Sequence, residues 1–105
     1  MIKKIQEEHA NWQIRNFGDV QESHIIIGVA EEVGELSHAY LHEKQFNRTN
    51  ENHEENMKDA VADITIFLIA LCNIRGWDYQ KILEDTWQQV KKRQWKRFPE
   101  NGITK

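Results

Sequence analysis

The chain has 105 residues, of which 30% are charged and 39% hydrophobic, with one proline, five glycines and one cysteine. This length suits one domain with a modest core, and the scarcity of helix breakers predicts an all-α fold. The formal net charge of −3 argues against a general nucleic-acid binder. Cys72 lies in an apolar run and is predicted to be a buried side chain rather than a reactive thiol.

No targeting or membrane segment is predicted. Met1-Ile2-Lys3-Lys4 leads into charged residues rather than an apolar segment, so a signal peptide is not expected. The longest apolar run, 60–74, is shorter than the ~20 residues of a membrane span and contains Asp63. With one cysteine and no repeat or linker, the sequence predicts a single domain over 1–105 in the cytoplasm.

Helical spacing of apolar side chains predicts four helices. The first is expected over 2–17, with Phe17-Gly18 as its stop. Asp19 is predicted to cap the second helix, with Glu22 in the capping-box position. That helix is expected to run from about 20 to 43. Its predicted apolar stripe is Ile26, Val29, Val33, Leu36 and Tyr40.

The polar residues from about 44 to 52 predict a loop, and the third helix is expected from 53 to 75. Gly76 fits a left-handed stop, and Asp78 fits the next cap. The fourth helix is expected from 79 to about 97. Because so short a chain offers little cover for its apolar face, a homodimer or homotetramer is predicted. That face consists of Ile82, Leu83, Thr86, Trp87 and Val90.

Two pairs of carboxylates stand out within these helices. Glu32 and Glu35 are i, i+3 neighbours at the border of the second helix's stripe, and Asp59 and Asp63 are i, i+4 neighbours in the third. Carboxylates near a core need a cation, and neither cluster contains Lys or Arg. Hard oxygen donors without cysteine favour Mg²⁺, or alternatively Mn²⁺, over zinc. The other interpretation is a solvated acidic face.

The same residues resemble a protein family. Glu31, Glu32 and Glu35, followed by Asp63 in an apolar helix, resemble the EExxE…ExxD signature of the MazG-like all-α nucleoside triphosphate pyrophosphohydrolases. The similarity covers roughly residues 20–99. It implies an oligomeric four-helix bundle that hydrolyses a nucleoside triphosphate to the monophosphate and pyrophosphate, removing unwanted nucleotides.

The resemblance implies roles for the acidic residues. Glu31 would orient or deprotonate the attacking water. The glutamate expected three residues before Asp63 is Ala60 in this chain. Asp59, one position earlier, or Glu55, about one turn further back, is then expected to supply the missing oxygen. The implied magnesium ligands are therefore Glu32, Glu35, Asp63 and Asp59.

Residues for binding the substrate are predicted in each of the four helices. His42 occupies the place of a base-contacting aromatic residue in the resembling family, and Trp12 and Phe67 are candidates for stacking, with core packing as the alternative. The basic end of the fourth helix is a candidate phosphate contact, with complementing the helix dipole as the alternative. Its candidate residues are Arg93, Lys96 and Arg97, with Gln94 as a polar contact.

Other interpretations stay open. Glu31, Glu35, His38 and His42 align on the helical wheel, which indicates surface or supporting groups, with a transition-metal site as the alternative. A phosphoribosyl-ATP pyrophosphohydrolase of the same superfamily is a related prediction. A non-catalytic helical interaction module is kept open by Ala60.

Overall fold

The computed structural model of the chain describes residues 1–45 and 52–104. The described residues form helices without any β-strand, so the predicted all-α class is confirmed. None of these helices is long and apolar enough to cross a membrane. Most of the loop predicted over 44–52 lies outside the described residues. The four helices are α1 (Ile2–Phe17), α2 (Glu22–Gln45), α3 (His53–Arg75) and α4 (Tyr79–Val90).

The junction between α3 and α4 follows the predicted chemistry. Gly76 ends α3 in the left-handed conformation, with φ 71° and ψ 27°. The backbone N–H of Trp77 donates to the carbonyl of Cys72 at 2.8 Å, which closes the last turn. The Asp78 side chain accepts from the backbone N–H of Lys81 at 3.1 Å. The predicted stop and cap are therefore both confirmed.

The predicted capping role of Asp19 is wrong. Helix α2 begins at Glu22, and the backbone N–H of His24 donates to the carbonyl of Gln21 at 3.0 Å. Gln21 therefore holds the position that precedes the first helical residue. Asp19 lies two residues before Gln21, after the bend at Gly18, where φ is 66°.

The predicted extension of α4 to Arg97 is also wrong, because the helix ends at Val90. The following residues fold back into turns, in which the N–H of Gln94 donates to the carbonyl of Gly102 at 2.8 Å. Gly102 has φ 74°, a conformation that favours glycine. Like charges four residues apart within 91–97 also disfavour a continuing helix.

Helices α2 and α3 pack as an antiparallel pair, with Gly28 against Phe67 near one end and His42 beside His53 at the other. A methyl group at position 28 would lie 2.8 Å from two carbon atoms of the Phe67 ring. Glycine therefore permits the close approach of the two helices at this point.

The stripe predicted for α2 is rotated relative to the buried face. The predicted Ile26, Val33 and Tyr40 are exposed, and Val29 and Leu36 are only half-buried. The side chains that are buried belong to other positions of α2, where α3 approaches most closely. They are Ile25, Gly28 and Ala39. Glu32, one turn after Gly28, therefore faces α3 rather than the border of an apolar stripe.

Helix α1 is held against the junction of α3 and α4 by the buried Gln6. Its side-chain amide donates to the carbonyl of Trp77 at 2.7 Å and to Oδ1 of Asn73 at 3.0 Å. Its Oε1 accepts from the backbone N–H of Tyr79 at 2.9 Å. One side chain thus connects three helices and fixes the direction of α1, which carries Trp12.

The core of a single chain is small. Cys72 is buried, as predicted, and burial raises the pKa of its thiol above the ordinary value. No residue of α4 is buried, and its apolar residues Ile82, Leu83 and Trp87 are 43%, 46% and 56% exposed. The radius of gyration is 17.5 Å, whereas roughly 13 Å is expected of a compact domain of this length.

Candidate active site

Three of the four predicted carboxylate ligands, all except Glu32, line a cleft of about 340 Å³ between α2 and α3. Glu35 reaches it from α2, and Asp59 and Asp63 reach it from α3. His38 and Asn56 add polar groups to its wall. The antiparallel packing of α2 and α3 therefore brings together carboxylates that are far apart in sequence.

Glu32 is the most constrained member of this group. Its side chain is half-buried, and its Oε2 atom is buried with no hydrogen-bond partner among the described residues. Burial raises the pKa of Glu32, and the negative charges of Glu35 and Asp63 raise it further. A hydrogen bond with the Glu35 side chain and the charge of the exposed Glu31 also raise this pKa. Each of these causes disfavours the ionised form of the Glu32 carboxyl group.

The position that departs from the resembling family is Ala60, which is buried in the wall of the carboxylate cleft. Asp59 lines the same cleft, one residue away. Glu55 instead lies on an exposed part of α3, 3.4 Å from Nζ of Lys58. Of the two predicted substitutes for the missing glutamate, Asp59 is therefore the better placed.

The carboxylate oxygen atoms of this group are the type of ligand that a hard divalent cation binds. Among residues 1–45 and 52–104, no group of three or more His, Cys, Asp or Glu side chains already surrounds a point suited to a metal ion. Within the described residues, the charged groups that act on Glu32 are nevertheless all negative, and one of its oxygen atoms has no donor. A cation held among these carboxylates would satisfy that oxygen and offset the repulsion.

A second, larger cleft of about 760 Å³ lies between α1, the start of α2 and α3. Trp12 and Phe67, the two predicted stacking residues, both line it, together with Phe17. The volume falls within the range of small-molecule sites. Asp63 lines both this aromatic cleft and the carboxylate cleft, so the two clefts are neighbours at this residue.

Two histidines of the aromatic cleft, His9 and His24, were not predicted as site residues. The ring of His9 lies 5.6 Å from that of Trp12, and its Nδ1 lies 3.4 Å from Nδ2 of Asn73. Burial lowers the pKa of His9, which favours its neutral form. The helical spacing of His9 and Trp12 on α1 was the signal that could have identified it.

The remaining predicted substrate contacts lie elsewhere. His42 packs against His38, with ring centroids 4.0 Å apart, and does not line the aromatic cleft. Arg93 and Gln94 line a separate cleft of about 230 Å³ beyond the end of α4, and Arg97 lies over the Phe98 ring at 5.1 Å. That cleft shares no lining residue with the carboxylate or aromatic cleft.

Comparison with models of protein families, with curated proteins and with solved structures gave no match to this chain. The function is therefore inferred from the chain's own residues and their placement.

Proposed function

We propose that this protein is a Mg²⁺-dependent nucleoside triphosphate pyrophosphohydrolase of the MazG-like type, with Mn²⁺ as an alternative ion. It would hydrolyse a nucleoside or deoxynucleoside triphosphate to the monophosphate and pyrophosphate, and so remove unwanted nucleotides. The observation that carries this proposal is the position of Asp63, which lines both the aromatic cleft and the carboxylate cleft. A nucleotide has the same two parts, a flat apolar base and a charged chain of phosphates.

The aromatic cleft supplies the site for the base. Trp12 is 45% exposed, so its ring is accessible to a ligand rather than sealed in a core. The ring of Phe67 packs against α2 at Gly28. Stacking between these rings would orient the base and direct the phosphates toward Asp63.

The carboxylate cleft supplies the site for the reaction. A bound Mg²⁺ would neutralise the phosphate oxygens and stabilise the charge of the transition state. Glu31, exposed next to Glu32, would orient a water molecule and accept its proton. The water oxygen would bond to the α-phosphorus as the bond to the bridging oxygen breaks, releasing pyrophosphate. The ion would be held by Glu32, Glu35, Asp63 and Asp59.

Self-association is part of the proposal. The accessible surface is 8290 Å², whereas a compact chain of this mass exposes roughly 6,200 Å². The difference is of the size that obligate subunit interfaces bury. Together with the uncovered face of α4, this area supports a homodimer or homotetramer in which a second copy covers apolar side chains.

The buried Ala60 favours one alternative, a helical module that binds a nucleotide without hydrolysing it. In that case a nucleotide would bind the aromatic cleft, but no pyrophosphate would form with Mg²⁺ or Mn²⁺. A phosphoribosyl-ATP pyrophosphohydrolase would be recognised by its preference for that substrate over common nucleotides.

Pyrophosphate release across common NTPs, dNTPs and phosphoribosyl-ATP, with and without Mg²⁺, tests the proposal. We expect metal-dependent release by the wild-type protein. Glu35→Gln and Asp63→Asn should each lower the rate by roughly 100-fold or more, because each removes a charged oxygen donor while keeping the side-chain shape.

The matched control is Glu7→Gln, which makes the same chemical change on an exposed part of α1. It should leave the rate within about twofold of wild type, as expected of a surface substitution. Full activity in both Glu35→Gln and Asp63→Asn would remove the carboxylate cleft from the mechanism. Nucleotide binding without turnover would favour the non-catalytic module.

A further inference from the structure

Three histidines lie together where the end of α2 meets the start of α3. His38 and His42 are four residues apart on α2, and their ring centroids are 4.0 Å apart at an interplanar angle of 72°. His53 is the first residue of α3, and its ring stacks beside that of His42 at 6.4 Å and 19°. The proposed hydrolysis uses none of these rings.

We propose that His38, His42 and His53 bind a divalent transition-metal ion of the zinc type. Two histidines at i and i+4 present their rings on one side of a helix, a spacing that binds zinc in other helical sites. His53 adds a third imidazole from the neighbouring helix, which the sequence alone did not bring to this place. Three protein nitrogens and one water would complete a tetrahedral site.

The two ring separations bracket the separation expected in a zinc site. With zinc–nitrogen bonds of about 2.1 Å and tetrahedral angles, two bound imidazole rings have centroids about 5.2 Å apart. The observed separations of 4.0 and 6.4 Å lie on either side of that value. The described side chains do not yet surround one point. The proposal requires rotations about side-chain torsions that bring the nitrogens to one point.

This site would differ in selectivity from the carboxylate cleft. Imidazole nitrogens favour Zn²⁺, Ni²⁺ or Cu²⁺, whereas carboxylates favour Mg²⁺ or Mn²⁺. His38 also lines the carboxylate cleft with Glu35, so the two sites are neighbours and an experiment must separate them. An ion bound to residues of both helices would join the end of α2 to the first turn of α3 and stabilise their pairing.

Calorimetric titration of the full chain with Zn²⁺ tests the proposal. With excess Mg²⁺ present to compete for the carboxylate cleft, we expect one zinc ion to bind per chain, and His42→Asn and His53→Asn each to weaken binding by roughly tenfold or more. His24→Asn, on an exposed part of α2 outside the cluster, is the matched histidine control. Asp63→Asn tests the carboxylate cleft. Both controls should bind zinc with an affinity within about twofold of wild type.

A second measurement needs no substitution and so does not depend on how the variants fold. Imidazole nitrogen resonances of the wild-type protein should shift on adding Zn²⁺ for His38, His42 and His53, but not for His9 or His24. Unchanged zinc affinity in both His42→Asn and His53→Asn would overturn the proposal. So would loss of zinc binding in Asp63→Asn, or a titration that leaves the three predicted resonances unmoved.

Discussion

Glu32 shows how a single side chain connects stability with function. Its carboxyl group is held between α2 and α3, where burial and the charges of Glu35 and Asp63 raise its pKa. The unfolded chain loses this proton more readily than the folded chain does. The contribution of Glu32 to stability is therefore complete below its ordinary pKa and is lost as the pH rises through the raised pKa of the folded state.

Removing this charge should stabilise the metal-free protein. At neutral pH we expect Glu32→Gln to raise the Tm of metal-free protein by roughly 4–8 °C, which corresponds to about 1 kcal/mol. The gain should shrink as the pH is lowered toward the ordinary pKa of a glutamate, because the wild-type side chain then becomes neutral. Thermal unfolding in a chelating buffer at several pH values measures this. A neutral-pH Tm below that of wild type would contradict the expected repulsion.

Gly28 is a second residue whose role depends on its neighbour. We expect Gly28→Ala to lower the free energy of unfolding by about 1–3 kcal/mol, because the new methyl group would overlap the Phe67 ring. The displaced ring should also weaken nucleotide binding in the aromatic cleft.

Gly34→Ala is the matched control on the same helix, since a methyl group there meets nothing within 4 Å. That change should be neutral or stabilising by up to about 1 kcal/mol, because alanine favours the helix. Denaturant unfolding of both variants compares them directly. Equal stability of the two variants would show that the contact between position 28 and Phe67 has no energetic consequence.

At the scale of elements, the direction of α1 depends on polar bonds more than on apolar packing. Gln6 is its one buried residue, and the side chain bonds to groups of α3 and of the junction with α4. We expect Gln6→Ala to cost about 1–3 kcal/mol, because it leaves the N–H of Tyr79 and the carbonyl of Trp77 without their partner.

The Gln6→Ala substitution should lower both the stability of the protein and its affinity for a nucleotide. Because α1 carries Trp12, a loosened helix should also weaken stacking of a nucleotide base in the aromatic cleft. Asn11→Ala, an exposed amide on α1, should change stability by no more than about 0.5 kcal/mol. Urea unfolding compares the stabilities of the two variants. An equal loss of stability in both would contradict this account.

The helices were predictable where local chemistry determines their ends. Gly76 and Asp78 act on groups within a few residues, so the boundary between α3 and α4 followed from sequence. The end of α4 did not follow from sequence, because it depends on Gly102 folding back onto Gln94. The rotation of the α2 stripe was missed for a similar reason, since the fit of Gly28 against Phe67 decides it.

The candidate site was partly predictable for the same reason. The carboxylates at helical spacing were identified from sequence, and the antiparallel packing brings Glu35, Asp59 and Asp63 to one cleft. The place of His24 in the aromatic cleft and the pairing of His42 with His53 depend on contacts between helices. Such contacts leave no regular spacing along the chain.

At the scale of the whole molecule, the exposed apolar surface argues for association. We expect the wild-type protein to sediment as a dimer or larger species, and Trp87→Ser to shift it toward the monomer, because a large ring is removed from the uncovered face of α4. Gln88→Ser, a polar position on the other side of α4, should leave the sedimentation unchanged. A wild-type protein that stays monomeric at micromolar concentration would contradict this prediction.

The central claim is that carboxylates from α2 and α3 share one divalent cation that holds the phosphates of a nucleotide. Titration of the metal-free protein with Mn²⁺, followed by electron paramagnetic resonance, tests it most directly. We expect the wild-type protein to bind Mn²⁺, and Glu32→Gln and Asp63→Asn each to weaken that binding by roughly tenfold or more, with Glu7→Gln unchanged. Equal Mn²⁺ affinity in all four proteins would contradict the account.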